Sequence, residues 1–196
     1  MSKKLRRTPI YIAPEIIGWI DESFKPHIID ERNSLILDPA NVYHKIDIYE
    51  RQVRDWFLNP AKTFVKSKDK KFIALMVCLS YLEGVEQFRR GQSSNNQSRS
   101  FFVSAISRIY PNKFLVQDLK DFYSEARCGL FHNGMVKGKI IINNRFLESL
   151  NFSGNDIEVS PTKFLRDIVQ DFDNYVNELK TNEQSRNYFD IMYSNV

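Results

Sequence analysis

Histidine and cysteine are scarce in this 196-residue chain, with three of one and two of the other. Cys78 and Cys128 form no CxxC and no Cys/His ligand spacing, and Cys78 lies in an apolar run. That pattern favours two reduced thiols over a disulfide framework. His27 and His44 have no carboxylate or cysteine company at ligand spacing, so neither a metal nor a cofactor is expected. There is no glycine-rich phosphate loop, no GxSxG and no Walker motif, which excludes nucleotide hydrolysis on a P-loop. Long apolar runs are missing too. The longest, FIALMVCLSYL from Phe72 to Leu82, is about half a membrane span. The basic start, MSKKLRRTPIYIAPEIIGWI, is interrupted by Pro14 and Glu15, and no small-residue cleavage site follows. A soluble, cytoplasmic chain with no membrane partner is expected.

The residues that are present describe a globular domain. Hydrophobic residues make up 42% and charged residues 27%, which suits one buried core and argues against disorder. The net charge of +4 suits an anionic partner such as RNA. Basic residues gather at Lys3 to Arg7, Lys62 to Lys71 and Arg89-Arg90, and again at Lys137, Lys139 and Arg145.

Periodicity and turn chemistry predict a mostly α fold: an antiparallel bundle of about five helices with a small β-hairpin before the last long helix. The apolar spacing predicts a short helix over Ala13 to Phe24 within an N-terminal extension of about 1–40. Further helices are expected from Val42 to Asn59, from Asp69 as N-cap to about Arg90, and from about Arg99 to Tyr110. Leu115, Leu119, Phe122, Ala126 and Leu130 form the core-facing stripe of the next. KIII (Lys139 to Ile142) and DIEV (Asp156 to Val159) are short and β-branched, and are expected to pair as the hairpin. Ser160-Pro161 then opens the strongest helical pattern, Phe164 to Leu179, before a polar tail of about 181–196.

The chemistry concentrates in EARCGLFHNG, Glu125 to Gly134. Arg127 and His132 stand five apart near a helix end, and Asn133-Gly134 supplies the C-terminal cap. A helix C-terminus favours positive charge, which suits a histidine there. In an ideal helix, side chains five apart point about 140° away from each other. They converge only if the helix unwinds before His132 or a second protomer supplies the partner group. A plainer reading has His132 capping its own helix carbonyls and Arg127 paired with Glu125 or Asp121 at the surface.

Arg-x4-His at the end of a core helix, written here as ARCGLFHNG and followed by the basic-aliphatic KGKIII, resembles the signature of the HEPN domain superfamily. The resemblance covers about residues 70–180 and extends to HEPN proteins of bacterial defence and toxin loci. It implies a dimerising helical bundle and, in active members, a metal-independent ribonuclease with Arg127 and His132 in a cleft shared by two protomers. A cognate antitoxin or other regulatory protein is implied as a further partner. Cys128 follows the motif arginine where catalytic members often carry a polar residue. The alternative is a non-catalytic HEPN-like module that binds RNA, a nucleotide or a protein.

The residue types fit RNA cleavage on chemical grounds as well. RNA carries its own nucleophile, the 2′-hydroxyl, so an imidazole for proton transfer and a guanidinium for the phosphate suffice. Glu83 and Glu86 on the long helix are candidates to orient Arg127, with Cys128 and Asn133 as supporting residues. Lys137, Lys139 and Arg145 follow the motif directly and could track an RNA backbone.

Overall fold

The computed structural model describes residues 5–67 and 69–195; Lys3, Lys4 and Lys68 of the basic clusters lie outside them. The chain opens with four short strands: β1 (Ile10–Ala13), β2 (Ile16–Ile20), β3 (Pro26–Asp30) and β4 (Leu35–Ile36). They pair antiparallel in sequence order, with Ile17 opposite Ile29 and Trp19 opposite His27. The helix expected over Ala13 to Phe24 is therefore corrected to a hairpin. Pro14 fixes one turn residue and Glu15 takes a left-handed φ of 57°, so the chain reverses between Ala13 and Ile16. Asp21 makes the next reversal, its carboxylate accepting the Ser23 and Lys25 backbone N–H groups. β-branched isoleucines between such turns prefer the pleated surface.

Six helical rods follow among the described residues. α1 (Val42–Val53) runs through a π-helical turn at Arg54–Leu58 into α2 (Asn59–Phe64), passing Pro60, where the sequence predicted a stop. α3 (Lys71–Arg90) ends on Gly91 with φ 64°. α4 is Ser98–Ile109. α5 (Val116–Phe122), a π-helical turn (Tyr123–Cys128) and α6 (Gly129–Asn133) form one continuous rod. After a second sheet come α7 (Pro161–Thr181) and α8 (Glu183–Asn195).

The second sheet has the order β5 (Ile140–Ile142), β7 (Asp156–Val159), β6 (Leu150–Ser153). β5 pairs with β7 in parallel, Ile141 opposite Glu158, so these two strands are not the expected hairpin. The hairpin partner of β7 is β6, turning at Gly154, whose φ is 61°. LNFS was not legible as a strand because it lacks the β-branched run that marked its neighbours. With two sheets, the fold is mixed α/β, and the expected mostly α bundle with a single hairpin is corrected accordingly.

The core lies where α3 meets α4, α7 and α8. Phe102, Phe122, Phe164 and Phe172 are fully buried in it, and Ile157 and Val159 bring the second sheet against it. The tail beyond Thr181 docks as α8 through Phe189 and Met192. Tyr49 gathers Phe88, Phe172, Tyr175 and Phe189 around it at 4.4–6.5 Å between centroids. A smaller cluster of Ala13, Ile16, Ile28, Leu37 and Ile48 joins the first sheet to α1. No helix of the described residues is long and apolar enough to cross a membrane.

Candidate functional site

The motif helix is not a regular α-helix. Arg127 sits in its π-helical turn, a feature that inserts one extra residue and is often found at functional sites. The turn packs on α3, and there Arg127 Nη2 donates to Glu83 Oε2 at 2.8 Å. The guanidinium carbon lies 5.5 Å from the Tyr123 ring centroid and 5.0 Å from that of Phe131. These two rings stand four residues to either side of Arg127, so they flank it along one helix face. Held in this way, the guanidinium still has N–H donors in its fork beyond the one Glu83 takes.

Glu83 is itself clamped. Burial alone would raise its carboxyl, but hydrogen bonds from Ser98 and Ser94 and the charge of Arg127 together bring it below its ordinary value. Ser94 Oγ donates to Glu83 Oε1 at 2.7 Å. Glu83 is therefore an ionised anchor that sets the position of Arg127. Glu86, one turn further along α3, does not share this role. It accepts from Arg90 at 2.8 Å and from the Ser104 hydroxyl at 2.8 Å, and lies 3.6 Å from Arg108. Of the two glutamates, the structure brings only Glu83 to Arg127.

His132 is exposed on the last turn of α6. The helix runs unbroken through it and closes on Gly134, whose φ is 72° and whose N–H donates to the Leu130 carbonyl at 3.1 Å. Unwinding before His132 does not occur: the rod continues from the π-helical turn through α6 to its cap. Asn133 is exposed beside the cap. Cys128 is half-buried and in hydrogen-bond contact with the Tyr123 phenol, which burial raises above its ordinary range. Arg127 pairs with neither Glu125 nor Asp121, contrary to the surface reading.

The segment after the motif folds straight back over it. A Cβ on Gly129 would lie 2.7 Å from the Met135 carbonyl oxygen and 3.1 Å from the Lys137 nitrogen. Only glycine admits this crossing, and Lys137 N–H fixes it by donating to the Glu125 carbonyl at 2.9 Å. Lys137 Nζ then reaches Ser124 Oγ at 3.4 Å, and Lys139 Nζ lies 4.0 Å from Asp121. Both lysines thus lie along the motif helix. Arg145 does not join them: it is exposed in the turn beyond the far end of β5.

No family model, curated protein or solved structure matches this chain. The site is accordingly defined by its own geometry. Among the described residues, no group of three or more His, Cys, Asp or Glu side chains is placed to hold a metal ion.

Ser94, Ser98 and Tyr123 were not singled out in the sequence, and Phe131 was noted only as a flanking residue of the motif. The rings stand at four-residue spacing from Arg127 and were readable in principle. Ser94 belongs to a polar loop and Ser98 to the start of α4, and the nearness of both to Arg127 exists only in three dimensions.

Proposed function

We propose that this chain is an endoribonuclease of the HEPN type, cleaving RNA through attack of the ribose 2′-hydroxyl without a metal. The observation that carries this reading is the Glu83–Arg127 clamp on a π-helical turn, with exposed His132 at the capped end of the same rod. Arg127 pairs with the phosphate oxygens and stabilises charge developing at phosphorus. An imidazole takes the 2′-hydroxyl proton as the 2′-oxygen bonds to phosphorus. The bond from phosphorus to the 5′-oxygen breaks, and that oxygen leaves with a proton from a second, protonated imidazole. The products are a 2′,3′-cyclic phosphate and a free 5′-hydroxyl. One chain offers one imidazole here for two proton transfers, so a second copy completes the site. The proposal therefore includes a homodimer of about twice 23.1 kDa in light scattering at micromolar concentration.

The direct test incubates purified protein with single-stranded RNA in excess EDTA and identifies the new ends. Cyclic-phosphate and 5′-hydroxyl termini are expected. RNA bound but left intact at high protein concentration would replace this reading with a non-catalytic RNA-binding module. A clean monomer with full cleavage would remove the shared-site mechanism.

Glu83→Gln should preserve the shape of the clamp while removing its charge, lowering cleavage by about 10- to 100-fold, the usual scale for groups that orient a working residue. Because the Glu83 carboxyl is held below its usual value of 4.5, its contribution is present above that value. It is lost only as pH falls through the lower folded value. A cleavage profile should accordingly show no Glu83-dependent loss between neutral and mildly acid pH. A wild-type profile that loses activity there, with the loss absent in Glu83→Gln, would show the assignment to be wrong.

A further inference from the structure

A cleft of about 750 Å³ opens between α4 and α5, directly beside the candidate site. Tyr123 forms part of its wall, and the ring of Tyr123 carries two guanidiniums, Arg127 at 5.5 Å and Arg99 at 5.7 Å. Arg127 has Glu83 as its counter-charge. Arg99 and Lys120, the two cations lining the cleft, enter no ion pair among the described residues, and the lining contains no carboxylate. Arg51, Arg54, Arg89 and Arg90 are each matched to an acid, whereas Arg6, Arg7, Arg145 and Arg186 share with Arg99 the lack of an ion pair among the described residues. A concave site that keeps two unmatched cations beside a clamped third favours a ligand bearing negative charge. Val103 and Val116 add an apolar strip to the same wall, and Ser100 an additional hydroxyl. The combination of charge, hydroxyl and apolar surface is that needed for a phosphorylated sugar with a base attached.

We infer that this cleft is the subsite for the nucleotide next to the scissile phosphate, with Arg99 and Lys120 holding that nucleotide's phosphate and Val103 and Val116 receiving its sugar and base edge. The inference rests on the ribonuclease reading for the position of the scissile phosphate, but the cleft's ligand, a nucleotide phosphate, can be tested apart from cleavage. In a His132→Ala background with excess EDTA, a labelled single-stranded RNA oligonucleotide is titrated by fluorescence anisotropy. Adding Arg99→Ala and Lys120→Ala together should weaken binding at least tenfold. It should also lower the salt dependence by about 0.7, the value for one neutralised single-strand phosphate. Lys62→Ala with Lys66→Ala removes the same charge from the basic cleft between α2 and α7 and serves as the control, expected to change binding less than threefold.

Adenosine monophosphate forms a second arm. RNA binding far tighter than the mononucleotide, with the same dependence on Arg99 and Lys120, assigns the cleft to a strand; equal affinities assign it to a free nucleotide. Unchanged binding of both ligands in Arg99→Ala/Lys120→Ala, or an equal loss in the Lys62/Lys66 control, overturns the inference. Cleavage by protein with His132 intact is scored separately. Failure to cut RNA with binding still dependent on Arg99 and Lys120 removes the nuclease reading alone. Cleavage together with binding indifferent to these two residues removes the subsite alone.

Discussion

His132→Ala should slow RNA cleavage by about 10²- to 10⁴-fold, the range for loss of a positioned proton-transfer group. The same substitution should leave stability within about 0.5 kcal/mol of the parent, because the side chain is exposed and lies in the last turn of a helix capped by the backbone of Gly134. That separation makes the variant informative: a large kinetic effect with an unchanged denaturation midpoint cannot come from misfolding. Arg127→Ala should be as damaging to cleavage but costlier to the fold. It strips the charge partner from Glu83, whose side chain is only 14% exposed, and removes a guanidinium flanked by two rings. Arg127→Lys retains the charge without the planar fork, and should fall between the parent and the alanine variant in rate. Cleavage unchanged in both His132→Ala and Arg127→Ala would mean that the activity belongs elsewhere.

The second large effect concerns stability. Asp171→Ala should cost about 3–5 kcal/mol, the range for removing one member of a buried pair. Asp171 lies on α7, 8% exposed, and accepts from the Tyr81 hydroxyl at 2.8 Å while pairing with Arg108 of α4. Arg108 depends heavily on it. Its Nε and Nη2 have no hydrogen-bond partner, and burial, reinforced by the nearby Arg89 charge, already lowers its proton affinity. Without Asp171, that cation and the Tyr81 hydroxyl are left in the interior with Glu86, 3.6 Å from Arg108, as the remaining acid. Asp171→Asn should lose less, because it can still accept from Tyr81. Replacing Arg108 with methionine in the Asp171→Ala background should recover part of the loss, since the unpaired charge is then gone. Urea denaturation of the four proteins provides the measurement, and a loss under 1 kcal/mol for Asp171→Ala would show that the pair does not matter. The network ties α3, α4 and α7 together, and α3 and α4 also carry Glu83 and Ser98. Loosening it is therefore expected to reach the site.

Local pattern determined a definite share of this protein. The apolar spacing of Phe164 to Leu179 and the Ser160-Pro161 start correspond to α7. The Asn133-Gly134 pair corresponds to the cap of the motif helix, because only a residue tolerant of positive φ closes a helix that way. Ala13 to Phe24 forms strands where helix is expected, because the turns at Pro14-Glu15 and Asp21 chop it into pieces too short for periodicity to distinguish from helix. β6 escaped notice because pairing with β7, not its own composition, makes LNFS a strand. Leu115 matched the helical stripe yet is exposed, because it caps α5 outside the core. Arg127 and His132 were visible as residue types at a spacing. That Arg127 belongs to Glu83, forty-four positions away, and that Glu86 meets Ser104 and Arg108 of α4, was decided by tertiary packing, whereas Glu86–Arg90 is a local four-residue pair within α3. The two glutamates lie three apart on one helix, and which neighbouring helix each one meets is a matter of how α3 is rotated against α4 and the π turn. Linear spacing carries no such information, since a charge finds its partner only after the helices have been brought together.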